Sequence, residues 1–269
     1  MLERIQQTTS YLRTRLNNEI PKAVIVLGSG LGQLANEISG KTVIPYSEIP
    51  NFPVSTVEGH AGNLIIGELA GQRVLAMQGR FHYYEGYDMK EVTFPMRVFA
   101  ALGIKVAMLS NAAGGVNPQF RKGDVMLITD HISFLPDNPL RGKNLSEFGP
   151  RFPDMTHAYD PQLIETARRV AKENGINLHE GVYIGVQGPS FETPAEYRFF
   201  HTIGADAVGM STVPEVIVAV HSGMRVCALS VITNCGLSGE VNDHEDVQKQ
   251  ANQTEPVMTA LFKGVIASL

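Results

Sequence analysis

Short apolar runs alternate with helical patterns along this chain, and that alternation restricts the possible folds more than any other feature. Ala23–Leu27 is wholly apolar and predicts a buried strand, while Asn63–Leu69 and Gln72–Met77 predict a hairpin around Gly71. Further strands are expected at Val106–Leu109, Val125–Ile128, Val182–Val186 and Val226–Ile232. Apolar strands interleaved with helices indicate an α/β fold with a central, largely buried sheet.

The helical patterns carry their own boundary signals. Pro161–Asn174 has an apolar stripe and is preceded by Asp160, a good N-cap residue. Val213–Ser222 is apolar nearly all round, which predicts a buried helix. The sequence from His244 onward is helical in pattern, and Pro256 is expected to kink or split that helix.

Length, charge and cysteine usage exclude several classes of protein. The 269 residues contain no repeat or linker, so we expect a single domain over 1–269. A net charge of −5 argues against a broad nucleic-acid surface, and no apolar run approaches membrane-spanning length. Cys227 and Cys235 form no CxxC motif, so free thiols in a reducing cytoplasm are expected.

A glycine loop, GSGLG at Gly28–Gly32, follows the first predicted strand. The dinucleotide fingerprint requires a third glycine where Gln33 stands, and no Walker lysine follows. The loop is either an anion site, because backbone N–H groups converge at such junctions, or a plain tight turn. The eight histidines form no HExxH or HxH pair, so no metal or other cofactor is expected.

Polar side chains follow the predicted hairpin in QGRFHYYEG, Gln78–Gly86. Arg80, His82 and Tyr84 alternate, so an extended segment would place them on one face. An arginine fork, an imidazole and a phenol together suit an oxyanion with an adjoining ligand. The alternative is a solvated strand end that carries surface charges.

Three further strand ends carry small or polar residues. NAAGG at Asn111–Gly115 allows the backbone to approach a ligand closely, or is simply a tight strand exit. Ser211 precedes the buried helix, where Thr212 and Glu215 fit a capping box. Asn234 ends the last strand, and its amide can both donate and accept hydrogen bonds.

The segment GPSFETPAE, Gly188–Glu196, combines an aromatic ring with a carboxylate just before a helix. Thr193 and Glu196 form a predicted capping box with Pro194 at the first helical position. Phe191 offers a flat apolar face and Glu192 a hydrogen-bond acceptor, which together suit a flat heterocycle bearing N–H groups. An ordinary helix cap with one core aromatic is the other interpretation.

Six segments, in order along nearly the whole chain, resemble the trimeric class of purine nucleoside phosphorylases. They are GSGLG at Gly28–Gly32, FPVSTVEGHAG at Phe52–Gly62, QGRFHYYEGY at Gln78–Tyr87, NAAGG at Asn111–Gly115, GPSFET at Gly188–Thr193 and GADAVGMSTVPEV at Gly204–Val216. Each segment alone is weak, but their combination in this order is highly specific. The resemblance implies an α/β/α sandwich around a mixed, barrel-like sheet, and a homotrimer.

The resemblance also implies a site, residue by residue. The phosphate site would comprise Ser29, Arg80, His82, Ser211 and the backbone at Ala112. The purine would contact Phe191, Glu192 and Asn234, and the ribose Tyr84, Met210 and His244, with Phe152 supplied by a neighbouring subunit. Asn234, Glu192 and His82 would carry the catalysis, while His60 and Glu85 belong to the family motifs without a settled role.

The implied reaction is phosphate-dependent cleavage of inosine, guanosine and their deoxy forms, with inorganic phosphate as co-substrate. Glu192 with Asn234 favours 6-oxopurines, because a 6-aminopurine lacks the N1–H that Glu192 would accept. The related methylthioadenosine phosphorylases typically carry an aspartate where Asn234 stands here. Cys235–Glu240 departs from many relatives, which leaves the breadth of accepted bases open. A binding module without turnover and a water-dependent nucleoside hydrolase are the alternative functions.

Overall fold

Strands and helices alternate along the computed structural model, which describes residues 1–28, 32–54, 61–236 and 244–269. Its described strands are β1 Ala23–Leu27, β2 Ser39–Pro45, β3 Asn63–Leu69, β4 Gln72–Gln78, β5 Val106–Gly115, β6 Val125–Ser133, β7 Leu178–Gly185, β8 Ala207–Gly209 and β9 Arg225–Cys235. Its described α-helices are α1 Leu2–Arg15, α2 Met89–Val92, α3 Phe94–Leu102, α4 Pro161–Glu173, α5 Pro194–Thr202, α6 Val213–His221 and α7 His244–Ala267. The expected α/β class is confirmed.

The strands form one mixed sheet that closes on itself at one end. Their order is β2-β3-β4-β1-β5-β8-β7-β6-β9, and β9 pairs again with β5. That second pairing closes β5, β8, β7, β6 and β9 into a barrel, from which the other four strands extend as an arm. Strand β1 is parallel to β4 and β5, whereas β3 is antiparallel to β2 and β4. The mixed, barrel-like sheet is therefore confirmed.

Two groups of helices flank the sheet. Helices α1 and α6 pack against α3, while α4 packs against α7, which also contacts β5 and β9. Helix α4 begins as expected, because the Asp160 carboxylate accepts hydrogen bonds from the N–H groups of Gln162 and Leu163. The all-round apolar helix α6 is almost wholly buried, as its pattern predicts.

Several expectations about the strands and helices need correction. Strand β5 continues to Gly115 and strand β6 to Ser133, because backbone pairing with β9 and β7 continues past the apolar runs. Strand β2 was not predicted; it lies at the sheet edge, and its burial is confined largely to Ile44. Helix α7 continues through Pro256 without being split. Pro256 lies on the exposed face, where water can satisfy the carbonyl that loses its N–H partner.

The topology brings four strand ends to one side of the sheet. Strands β1, β4, β5 and β9 are linked by parallel pairings, so their carboxyl ends share an edge. The residues that follow β4 and those that end β5 and β9 are the polar and glycine-rich segments singled out above. In α/β folds such an edge is where ligands bind. No helix within the described residues is long and apolar enough to cross a membrane.

Candidate active site

A cleft of about 650 Å³, part of it open to solvent, lies at this edge of the sheet. Ten of the described candidate residues line it: Arg80, His82, Tyr84, Ala112, Phe191, Glu192, Met210, Ser211, Asn234 and His244. Ser29 and His60 lie outside the described residues. Segments separated by more than 150 positions in the sequence therefore contribute side chains to one cavity.

One end of the cleft is built on Arg80, whose side chain is only 2% exposed. Its Nε and Nη2 bond to the two carboxylate oxygens of Glu215 at 3.2 and 3.0 Å, and Nη1 donates to the Ser110 carbonyl at 2.5 Å. The Ser211 hydroxyl lies 3.4 Å from Nη1. This paired fork holds a buried cation in one fixed orientation, which suits recognition of an oxyanion.

His82 stands beside this arginine and is held by Glu85. The buried Glu85 carboxylate lies 2.9 Å from His82 Nδ1 and also accepts from the His82 backbone N–H at 2.8 Å. Burial lowers the pKa of His82, opposed by its hydrogen bond to Glu85. The Tyr84 ring stacks on the imidazole with centroids 4.7 Å apart, and burial raises the Tyr84 pKa to about 12. These contacts exclude the solvated strand end for this part of the chain.

The start of α6 differs from its expected capping box. The Glu215 carboxylate is paired with the Arg80 guanidinium, and the Thr212 side chain makes no capping hydrogen bond. Thr212 instead adopts φ +67°, a conformation rare outside glycine, and its hydroxyl accepts from Asn111 Nδ2 at 2.9 Å. The capping-box prediction is therefore wrong, because a buried cation from another segment takes the carboxylate. Ser211 remains at the helix N-terminus, where anions are favoured.

The other end of the cleft carries the aromatic and the carboxylate. The capping box of Thr193 and Glu196 is confirmed and places Phe191 and Glu192 just ahead of α5. Phe191 is partly exposed and faces the cleft, as a stacking surface would. Burial raises the pKa of Glu192, although a hydrogen bond from the Tyr197 hydroxyl opposes this shift.

Asn234 is buried at the end of β9, and its amide orientation is fixed by two neighbours. Its Nδ2 donates to the Tyr197 hydroxyl at 3.1 Å, and its Oδ1 accepts from the Thr233 hydroxyl at 3.3 Å. The amide retains a second N–H for a ligand. Asn234 thus faces the cleft as a preoriented hydrogen-bond donor.

Tyr84, Met210 and His244 also line the cleft. Met210 packs against Gly188, which has φ +66° and where any Cβ would collide with the Met210 sulfur. His244 is exposed at the start of α7 and is hydrogen-bonded to Gln248. Phe152 does not line the cleft of its own chain; its side chain lies in the loop before α4 and is 87% exposed.

Sequence reasoning missed several residues that build the site: Asn111, Tyr197, Thr212 in its actual role, and Glu215. Glu215 had a usable signal, because it is the one acidic residue of the helix Val213–His221, which is apolar apart from Glu215 and His221. Tyr197 had no such sequence signal, since a tyrosine at helical spacing is most often part of a core. The described residues contain no cluster of three or more His, Cys, Asp or Glu side chains that could hold a metal ion.

The cleft is lined by a buried guanidinium, an aromatic ring, a carboxylate and an amide, a combination that would suit an oxyanion together with a flat heterocycle. Residues 22–267 match the profile of the Phosphorylase superfamily, and the chain belongs to that family.

Individual relatives over nearly the full chain are purine nucleoside phosphorylases. Purine nucleoside phosphorylase 1 of Bacillus subtilis (strain 168) is 52% identical over 269 residues, covering 99% of each chain. A crystal structure of Schistosoma mansoni purine nucleoside phosphorylase in complex with inosine superposes with a TM-score of 0.93 at 42% identity, covering 99% of this chain and 96% of that one. A structure of the Schistosoma mansoni enzyme with adenosine gives the same TM-score and identity, covering 97% of that chain.

Proposed function

We propose that this protein is a purine nucleoside phosphorylase, which reversibly transfers the ribosyl group of a 6-oxopurine nucleoside to inorganic phosphate. Its relatives of 42% to 52% identity carry that name over nearly the full chain. The observation that carries the proposal is the arrangement of the cleft, with Arg80 at one end and Glu192 with Asn234 at the other. A nucleoside between them would have its glycosidic bond directed toward the bound phosphate.

At the phosphate end, Arg80, His82 and Ser211 would hold the nucleophile in line with the bond to be broken. The ribosyl group becomes cationic as that bond breaks, as in other glycoside cleavages, so an adjacent phosphate anion stabilises it. His82 donates from Nδ1 to Glu85, and a neutral imidazole then presents Nε2 as an acceptor for the proton of a monohydrogen phosphate. Positioning and charge, rather than covalent chemistry on the protein, supply the catalysis. Neither a metal nor another cofactor has a role in this scheme.

At the base end, the ionised Glu192 would accept the N1–H of hypoxanthine or guanine. The second N–H of Asn234 would donate to the base as negative charge develops on it during departure. A 6-aminopurine has no N1–H, so its N1 lone pair would face the Glu192 carboxylate and weaken binding. Tyr84, Met210 and His244 also line the cleft, and the sugar would lie against them.

A steady-state assay tests the proposal directly. The protein is expected to release hypoxanthine from inosine only when phosphate is present, and to act far less well on methylthioadenosine. Phosphate-independent release would indicate a nucleoside hydrolase, binding without release would indicate a module without turnover, and preference for methylthioadenosine would indicate the related phosphorylases. Each of these outcomes would contradict the proposal.

We also propose a homotrimer in which Phe152 closes the ribose pocket of a neighbouring subunit. The support is its 87% exposure within a single chain and its place in the long loop before α4. Phe152→Ala is expected to raise the KM for inosine about tenfold, the scale of a lost aromatic contact, while the KM for phosphate changes little. Light scattering should give three times the mass of one chain; a monomer with full activity would contradict this arrangement.

A reducing cytoplasm is the proposed compartment. Cys227 is buried in β9 and Cys235 is half-buried at its end, and neither forms a disulfide. Burial raises the pKa of Cys227 to about 12, so this thiol is unreactive and its role is packing.

A further inference from the structure

The Tyr197 hydroxyl connects the two polar residues of the base end. The side chain is about 1% exposed and lies on α5, one turn after Glu192. Its Oη lies 3.0 Å from Glu192 Oε2 and 3.1 Å from Asn234 Nδ2. A single buried hydroxyl therefore touches both groups that would contact a purine.

The direction of these hydrogen bonds follows from the chemistry of the three groups. An amide nitrogen can only donate, so the tyrosine oxygen must accept from Asn234. Its single proton is then directed to Glu192, which must offer a lone pair. A protonated Glu192 could keep this contact only with its proton on the other oxygen, Oε1. The arrangement thus favours an ionised Glu192 and an Asn234 with its amide turned one way.

We infer that Tyr197 is a specificity-determining positioning residue, which keeps Glu192 an acceptor and so favours bases with an N1–H over 6-aminopurines. This inference rests on the proposed function and deepens it. Without the hydroxyl, Glu192 loses a donor that stabilises its charge, and a protonated Glu192 can donate to the N1 of adenine. The Asn234 amide also loses the acceptor that fixes its orientation.

Two glycines provide the space that the Tyr197 ring needs. A Cβ on Gly114 would lie 2.5 Å from the Tyr197 hydroxyl, and one on Gly236 would overlap the ring itself. Neither glycine has a positive φ, so other residues could adopt these backbone conformations. The space taken by the tyrosine, and not the backbone geometry of a turn, therefore explains why both positions lack a side chain. Gly236 follows directly on β9, whose penultimate residue is Asn234.

Other charged groups share the environment of Glu192 and bear on its protonation. Glu196, in the first turn of α5, raises the Glu192 pKa by repulsion. The cleft is also lined by Arg80 and His82, which follow β4, by Tyr84 in the same segment, and by His244 of α7. None of these groups is altered by a change at Tyr197, so a shift in the pH profile would report the lost hydroxyl.

The test compares Tyr197→Phe with Tyr159→Phe. Tyr159 is also buried, but its hydrogen-bond partner His131, unlike Glu192 and Asn234, does not line the cleft. In Tyr197→Phe, kcat/KM for inosine is expected to fall about 10- to 100-fold, the range for losing a hydrogen bond to a charged group. Adenosine cleavage should fall less or rise, so the inosine-to-adenosine ratio drops at least about tenfold, while the KM for phosphate is retained. Tyr159→Phe should leave the ratio unchanged.

The pH profile provides a second readout that general loosening of the fold would not produce. A hydrogen bond donated to a carboxylate lowers its pKa, so removing the Tyr197 hydroxyl raises the pKa of Glu192 further. Inosine cleavage requires the ionised carboxylate and is lost as the pH falls through that pKa. The acid limb of kcat/KM should therefore move to higher pH in Tyr197→Phe, by about one unit.

Gly236→Ala supplies an independent variant, because its methyl group displaces the ring while the hydroxyl remains. It should lower the inosine-to-adenosine ratio in the same direction as Tyr197→Phe. An unchanged ratio and acid limb in a folded Tyr197→Phe protein would overturn the inference. That result leaves the proposed function intact, whereas a wild-type protein without phosphate-dependent inosine cleavage would overturn the function itself.

Discussion

Arg80→Ala is expected to reduce phosphate-dependent inosine cleavage about a thousandfold. Arg80 is the buried guanidinium at the phosphate end, and its orientation is fixed by Glu215 and the Ser110 carbonyl. A preoriented charge in a water-excluded site stabilises a transition state much more than a surface charge does, and losing one such donor costs up to about 10³ in turnover. Initial rates against phosphate concentration measure the effect, which should include loss of phosphate saturation.

The same variant is expected to destabilise the fold. The side chains of Arg80 and Glu215 are only 2% and 7% exposed, so alanine would leave an uncompensated carboxylate in the core. Breaking a buried pair by removing one partner costs about 3–5 kcal/mol of unfolding free energy. Arg168→Ala is a suitable control, because its ion pairs with Glu165 and Glu180 lie at the surface. That control should cost less than about 1 kcal/mol and leave activity unchanged.

A double variant, Arg80→Met with Glu215→Leu, separates the two effects. It removes both charges together, which is often neutral for stability when apolar side chains of similar volume fill the space. Chemical denaturation should show stability near that of the wild type, while phosphate-dependent cleavage remains lost. A folded double variant with normal saturation by phosphate would contradict the placement of the anion at Arg80.

Two similar capping motifs show where sequence reasoning succeeds and where it fails. Thr193 and Glu196 lie on an exposed helix start, so local hydrogen bonding decides their geometry and the prediction is confirmed. Thr212 and Glu215 have the same spacing but are buried beside Arg80, which lies 135 positions away in the sequence. A buried guanidinium outweighs a backbone N–H in the competition for a carboxylate. Local patterns therefore predict caps reliably only where no tertiary charge competes.

The closure of the sheet into a barrel could not be predicted from local sequence patterns either. Apolar runs predicted the α/β class and most strands, but the second pairing of β9, with β5, depends on strands more than 100 positions apart. The barrel was expected only through family resemblance. The same applies to the site. The sequence pattern indicated polar strand ends, whereas the hydrogen bonds that join Tyr197 to Glu192 and Asn234 depend on the tertiary structure. Ser29 and His60 stay predictions, since they lie outside the described residues.

Asn234→Ala is expected to lower the turnover of inosine about 10²- to 10³-fold while the KM for phosphate stays near its wild-type value. The Asn234 side chain hydrogen-bonds to Tyr197 and Thr233, so its loss is not expected to displace Arg80 or His82. Its amide would donate to the purine as negative charge develops, a contact that is stronger in the transition state than in the bound nucleoside. An effect on kcat greater than that on KM is therefore expected.

The leaving group offers a chemical control for this prediction. An inosine analogue methylated at N7 already carries positive charge on its base, so the base departs neutral and needs little help from a donor. Asn234→Ala should cleave this analogue at nearly the wild-type rate, whereas Asn177→Ala, a change at an exposed amide on the surface, should alter neither substrate. Equal losses on inosine and on the methylated analogue would mean that Asn234 only shapes the pocket. Because a donor to an anion matters only when an anion forms, the ratio of the two rates isolates its contribution to leaving-group departure.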